Sequence, residues 1–188
     1  MGEGYCQYIT KPLQYNSAND THRSAKQGIQ PSNWMRIKTQ ARKGYMKLNG
    51  THKFKASSSQ VFNAILSPSV LKTCIPGCNS VEYVDANRIK ANITTPLPGL
   101  KGPYGVIINI AQRQPGLLVL QVQRNGTGGS VNAISQIHIT DEADGSLLTY
   151  DAKADLAGPI AIADNPIGRG VTNSSLNSFF KNLDKAIV

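Results

Sequence analysis

A chain of 188 residues with 40% hydrophobic content can bury one sizeable core and little more. Three cysteines exclude a disulfide framework, no apolar run reaches a membrane span, and no basic-then-apolar leader opens the chain, so a reducing cytoplasmic setting is expected. The formal charge of +9 is lopsided: residues 1–45 hold seven Lys and Arg against two acids, and residues 46–188 hold thirteen against nine.

Residues 1–45 show neither helical nor strand period and are rich in Gln, Asn, Ser, Thr and Gly. They read as a disordered or weakly ordered basic extension preceding one folded domain over 46–188. Such an arm is more often a solvated tail than a nucleic-acid contact, and nucleic acid is not expected as a partner.

From Met46 the pattern sharpens. A first strand runs to about Lys55, with Leu48 and Phe54 on one face. Ser57 or Ser58 caps a helix whose Val61, Phe62, Ile65 and Leu66 form one apolar stripe. Pro68 opens a second short helix, and Pro76-Gly77 stops it after Cys74. Six strands follow. Three alternate cleanly, through Ile89, Ala91 and Ile93, through Val131, Ala133, Ser135, Ile137 and Ile139, and through Leu148, Tyr150, Ala152, Ala154 and Leu156. Period two with one polar face predicts an antiparallel sheet covered on one side. Turn residues separate the strands, among them Asn125-Gly126 through Gly129 and Asp144-Gly145. A long final helix starts at or before Pro166, with Ile167, Val171, Leu176, Phe179 or Phe180, Leu183 and Ile187 on its apolar face. The fold class is α+β: a curved sheet of about seven strands wrapped around one long C-terminal helix.

No catalytic constellation is visible. Cys74 and Cys78 form a CxxxC pair, but a structural zinc site needs two more ligands and no His cluster lies nearby, so no metal is expected. His138 belongs to a polar strand face, and His52 lies on the Leu48/Phe54 face, where a lone His is more often satisfied core than ligand. Gly126-Thr127-Gly128-Gly129 joins strand to strand, so it is a hairpin turn rather than a phosphate cradle, and no cofactor is expected.

The inner strand faces are instead rich in small residues, and the facing helix is light around Ser174, Ser175 and Ser178. Small against small on a curved sheet predicts an apolar cavity. Its expected lining is Ala91, Ile93, Val106, Ile108, Leu120, Ala133, Tyr150, Ala152, Val171 and Phe179, with Tyr104 from the Pro- and Gly-rich segment 96–105 at the rim.

Leu71-Lys72-Thr73-Cys74-Ile75-Pro76-Gly77-Cys78 resembles the signature of the CoxG family of carbon monoxide dehydrogenase subunits. Supporting pieces are Gly99-Leu100-Lys101-Gly102, Asn125 through Gly129, and Leu176 through Leu183, so the resemblance spans 46–188. It implies a START-like helix-grip fold of the SRPBCC superfamily. It also implies a non-enzymatic accessory protein that binds an apolar molecule, quinone or lipid, and serves a molybdenum carbon monoxide dehydrogenase-type enzyme with peripheral association at the inner membrane face. The rival expectation is a START-like enzyme of polyketide cyclase or dehydratase type, which would want convergent polar groups in the same cavity.

Overall fold

The computed structural model describes residues 42–97, 99–100 and 102–187. The expected weakly ordered extension falls almost wholly outside them. Strand β1 (Lys43–Phe54) opens the domain, three residues ahead of the expected Met46. Lys43, Gly44 and Tyr45 pair with Ala157, Leu156 and Asp155, so they belong to the sheet.

Helix α1 (Ser58–Ile65) is fixed at its start by a capping box: the Gln60 amide donates to the Ser57 hydroxyl and the Ser57 amide donates to Gln60 Oε1. Asp141 adds a carboxylate at the positive end of the helix dipole, accepting from the Ser58 amide (2.7 Å) and hydroxyl (2.8 Å). Helix α2 (Pro68–Cys74) has Pro68 in its first turn, where a missing N–H costs nothing. At the following corner Gly77 has φ +73°, and a Cβ there would collide with the Thr94 carbonyl. Only glycine permits that approach, which lets the Thr94 amide donate to the Gly77 carbonyl at 2.8 Å.

Six strands then run as a meander: β2 (Cys78–Asp85), β3 (Arg88–Ile93), β4 (Tyr104–Gln114), β5 (Leu117–Arg124), β6 (Ser130–Glu142) and β7 (Gly145–Ala157). The sheet has seven antiparallel strands in the order β1-β7-β6-β5-β4-β3-β2, with β1 joining the meander at β7. A 3-10 turn (Gly158–Asp164) leads into helix α3 (Pro166–Ile187).

Helix α3 departs from expectation at its first turn. Ile167 is 71% exposed, and its neighbour Gly168 is the buried residue. A Cβ at Gly168 would lie 2.5 Å from the Ala163 Cα, so the helix meets the 3-10 turn backbone to backbone. That approach turns Ile167 to the surface.

Two apolar cores lie under α3. The larger joins Phe54, Val61, Ile65, Leu71, Cys74, Ile89, Ile110, Leu118, Ile139, Leu148, Phe180 and Leu183. The smaller joins Met46, Leu97, Leu156, Ala161 and Ala163. No helix among the described residues is long and apolar enough to cross a membrane.

Candidate functional site

A cavity of about 220 Å³ opens within the larger core. Leu176, Phe179 and Phe180 of α3 form its roof, and Ile65, Leu66, Leu71 and Ile75 of the α1–α2 segment form one wall. The sheet supplies the floor: Leu48, Ala152, Ser135 and Leu120 form one cross-strand row, with Tyr150 and Ile137 beside it. On β4 and β3 the floor passes to Ile108 and Ile89, which align with Ala133 of β6 rather than with Ser135. The strand twist thus carries the cavity obliquely across the sheet.

Among the sixteen lining residues only Ser135 and Tyr150 bear polar side-chain atoms. Tyr150 leans over its cross-strand partner Gly50, where a Cβ would lie 2.7 Å from the phenolic oxygen. Burial pushes its ionisation above the ordinary phenol range, so the hydroxyl stays protonated at neutral pH. Among the described residues it has no hydrogen-bond partner.

A groove of about 340 Å³ adjoins the cavity and shares Leu48, Ile75, Leu176 and Phe179 with it. It runs between the segment Thr94–Leu97 and the α3 residues Val171, Thr172 and Ser175.

Of the expected lining, Ile108, Leu120, Tyr150, Ala152 and Phe179 face the cavity, and Ile93, Val171 and Phe179 face the groove. Ala91, Val106, Ala133 and Tyr104 line neither, which corrects the expectation. Ala91 is fully buried and pairs with Val106 one row beyond the floor. Ala133 pairs with Ala154, which packs on the smaller core rather than on the cavity. Tyr104 sits beneath the Arg124 guanidinium, 4.3 Å from carbon to ring centre, against the Gly128 backbone. It plugs the β5–β6 end.

His52 stands behind the roof. Its ring stacks on Phe180 at 4.9 Å and meets Phe54 edge-on at 4.7 Å, while Nε2 donates to Asp184 Oδ2 at 2.8 Å. The pair ties β1 to the last turns of α3 without reaching the cavity surface. Cys74 is buried and Cys78 half-buried; desolvation raises both thiols above their ordinary range, so neither is a thiolate at neutral pH. Among the described residues no three His, Cys, Asp or Glu side chains cluster as metal ligands would.

Sequence reasoning missed the roof and wall residues Phe180, Ile65 and Ile75, and it missed Asp184 as the partner of His52. Helical periodicity places Ile65 and Phe180 on inward faces but gives no depth.

The fold recurs in solved structures. A conserved protein from Geobacillus kaustophilus is 30% identical, over 76% of this chain and 95% of that one, with a TM-score of 0.69. A protein of Chromobacterium violaceum is 17% identical over 75% and 96%, with a TM-score of 0.57. Truncated norcoclaurine synthase from Thalictrum flavum is 13% identical over 78% and 95%, with a TM-score of 0.53, a likeness of fold alone. These neighbours share the helix-grip arrangement of a curved antiparallel sheet and a C-terminal helix. No curated protein matches the sequence. The family profile of the carbon monoxide dehydrogenase subunit CoxG matches residues 50–188. With a helix-grip fold, a signature corner at Cys74–Cys78 and a profile match over most of its length, the chain belongs to the CoxG family of carbon monoxide dehydrogenase subunits.

Proposed function

We propose that the protein is a non-enzymatic accessory protein that holds one apolar molecule, quinone or lipid, between the sheet and α3. The carrying observation is the cavity lining, which among the described residues is aliphatic and aromatic apart from two hydroxyls, with no acid, His, Lys or Arg. Such a surface binds by burial and offers no group to take or give a proton at neutral pH. Family membership supports service to a carbon monoxide dehydrogenase, taken in this reading to be of molybdenum type. In this reading the protein works in the cytoplasm and visits the membrane face to exchange its ligand.

Native mass spectrometry of the purified full chain, followed by organic extraction, tests this. The expected result is one stoichiometric apolar adduct, absent from a folded Ser135→Leu/Ala152→Leu variant whose added side chains fill the floor. An unchanged adduct in that variant, or none in the parent protein, sinks the reading.

A second reading, an enzyme acting on a hydrophobic substrate, draws on the His52–Asp184 pair behind Phe180. It requires Phe180 to swing aside. Recovery of the bound molecule chemically unchanged after incubation with the parent protein would remove its support.

A further inference from the structure

The two edges of the sheet are not alike. Strand β2 carries register shifts near both of its ends, at Cys78–Ser80 and Tyr83–Asp85, and α2 packs against it. Bulges of this kind close an edge to further pairing. Strand β1 is twelve residues long and pairs with β7 in unbroken register from Lys43 to Phe54. Among the described residues its other side is closed only at the start. There the Tyr45 amide donates to Asp164 Oδ2 (3.0 Å) and the Tyr45 carbonyl accepts from Arg169 (3.5 Å).

Antiparallel pairing alternates, so those bonds fix which residues turn their backbone groups outward. Arg42, of the opposite parity, accepts from the Gly158 amide on the β7 side. Lys47, Asn49, Thr51 and Lys53 follow Tyr45 at intervals of two, so their N–H and C=O groups point away from β7. All four residues are exposed, and among the described residues no other segment or side chain bonds to these groups. A regular edge is thus open over residues 47–53, long enough for a strand of ordinary length.

Charge decides what can lie there. Lys47 stands directly opposite Lys153 on the outer face, in a closely spaced pair with no backbone bonds between its members. Like charges so placed repel. Among the described residues neither amine has a carboxylate at ion-pair distance, Asp151 and Asp155 on the same face included. A second copy of β1 over the same span would set Lys47 opposite Lys53 and add to the repulsion. A carboxylate on an added strand relieves it. On the inner face Leu48, which lines both cavity and groove, would flank that strand and favour an apolar side chain.

We propose that the β1 edge over Lys47–Lys53 docks an extended segment of a partner protein in which acidic and apolar residues alternate. The segment adds one strand to the sheet by backbone hydrogen bonds. Its acids face Lys47 and the neighbouring Lys153, and its apolar residues turn toward Leu48. The site goes beyond the cavity and does not depend on what the cavity holds.

Amide NMR titration of the full chain tests this with a capped seven-residue peptide alternating valine and glutamate. Two controls accompany it: a valine–lysine peptide, and the glutamate peptide N-methylated at each glutamate, the residues whose amides would face β1. The glutamate peptide should shift the Asn49 and Thr51 amides and slow their hydrogen exchange, without effect along β2, and both controls should bind far more weakly. Lys47→Glu should weaken the glutamate peptide by about threefold to tenfold and strengthen the lysine peptide. Thr51→Pro loses an N–H that points to solvent, so the fold should survive while the glutamate peptide weakens by about fivefold or more. Should that variant unfold, the charge reversal at Lys47 decides. No response at Asn49 and Thr51 to millimolar peptide overturns the site. An equal response to the N-methylated peptide overturns strand addition, and equal binding of the two charge patterns overturns the acidic partner. Shifts of the same amides with protein concentration alone would assign the edge to a second copy and overturn the proposal.

Discussion

The two ends of the space beneath α3 solve one packing problem in opposite ways. At the first turn of the helix Gly168 sits against the Ile162–Ala163 backbone, and the helix meets the 3-10 turn with no side chain between them. Toward the other end Leu176, Phe179 and Phe180 face Leu, Ile and Tyr side chains, and there the cavity lies. Small residues produce close approach, whereas large residues on a strongly curved sheet hold the helix away. Small inward side chains therefore border a void at Ala152 and none at Ala133. Volume is lost where the backbone is free to follow.

The largest effect that would break this contrast is at Gly168. Gly168→Ala forces a Cβ against the Ala163 Cα and the Ile162 carbonyl, neither of which is a flexible side-chain end. A stability loss of about 3 kcal/mol in denaturant unfolding is expected. A loss below about 0.5 kcal/mol would mean the helix slides without cost and the backbone contact is not rigid.

The matched pair Ala152→Leu and Ala154→Leu sharpens it. These residues lie on one strand face two positions apart, but Ala152 faces the cavity and Ala154 the smaller core. Ala154→Leu should cost about 1–3 kcal/mol by overpacking, while Ala152→Leu stays within about 1 kcal/mol of the parent. Equal costs would erase the distinction.

Smaller still is the acid response of the two ends. Asp164 accepts from the Tyr45 amide (3.0 Å) and from Arg169, and Asp141 accepts from the Ser58 amide and hydroxyl. The backbone hydrogen bond, then the side-chain one, holds each carboxyl below the ordinary range. Both folded values thus lie below the unfolded value near 3.9. Their contribution is complete above that value and lost as pH falls through the folded ones. Asp164→Asn and Asp141→Asn should each flatten the fall in melting temperature between about pH 5 and 2, leaving neutral-pH ligand content unchanged. An unaltered acid slope in both would exclude these carboxylates as its source.

The element order was legible because each strand announced its own face: Ile89 and Ala91, or Leu148 and Tyr150, could point only inward. The Ser57 cap, the Pro68 start and the Gly77 stop were equally local signals. Less legible was how far each element stands from its neighbour. Ile167 sits on the apolar stripe by periodicity, but the glycine beside it set the contact. Asp184 reads as a solvated helix residue because its partner His52 is 132 positions away. Cavity depth is likewise a property of separations between elements, so five of the eleven expected lining residues reached the cavity itself and four reached neither cavity nor groove.

The order of pairing in the sheet has a consequence for chain entropy. Strands β3 to β7 each pair with the strand just before them, so their contacts are local. Strand β1 pairs only with β7, across about a hundred residues, and ordering it removes loop freedom that no turn has already reduced. Leu48 of the cavity floor and Gly50, the seat of Tyr150, both ride on that strand. The binding chamber is thus completed by the segment whose docking is entropically most demanding, and a bound molecule touching Leu48 also holds the longest-range pairing of the domain in place.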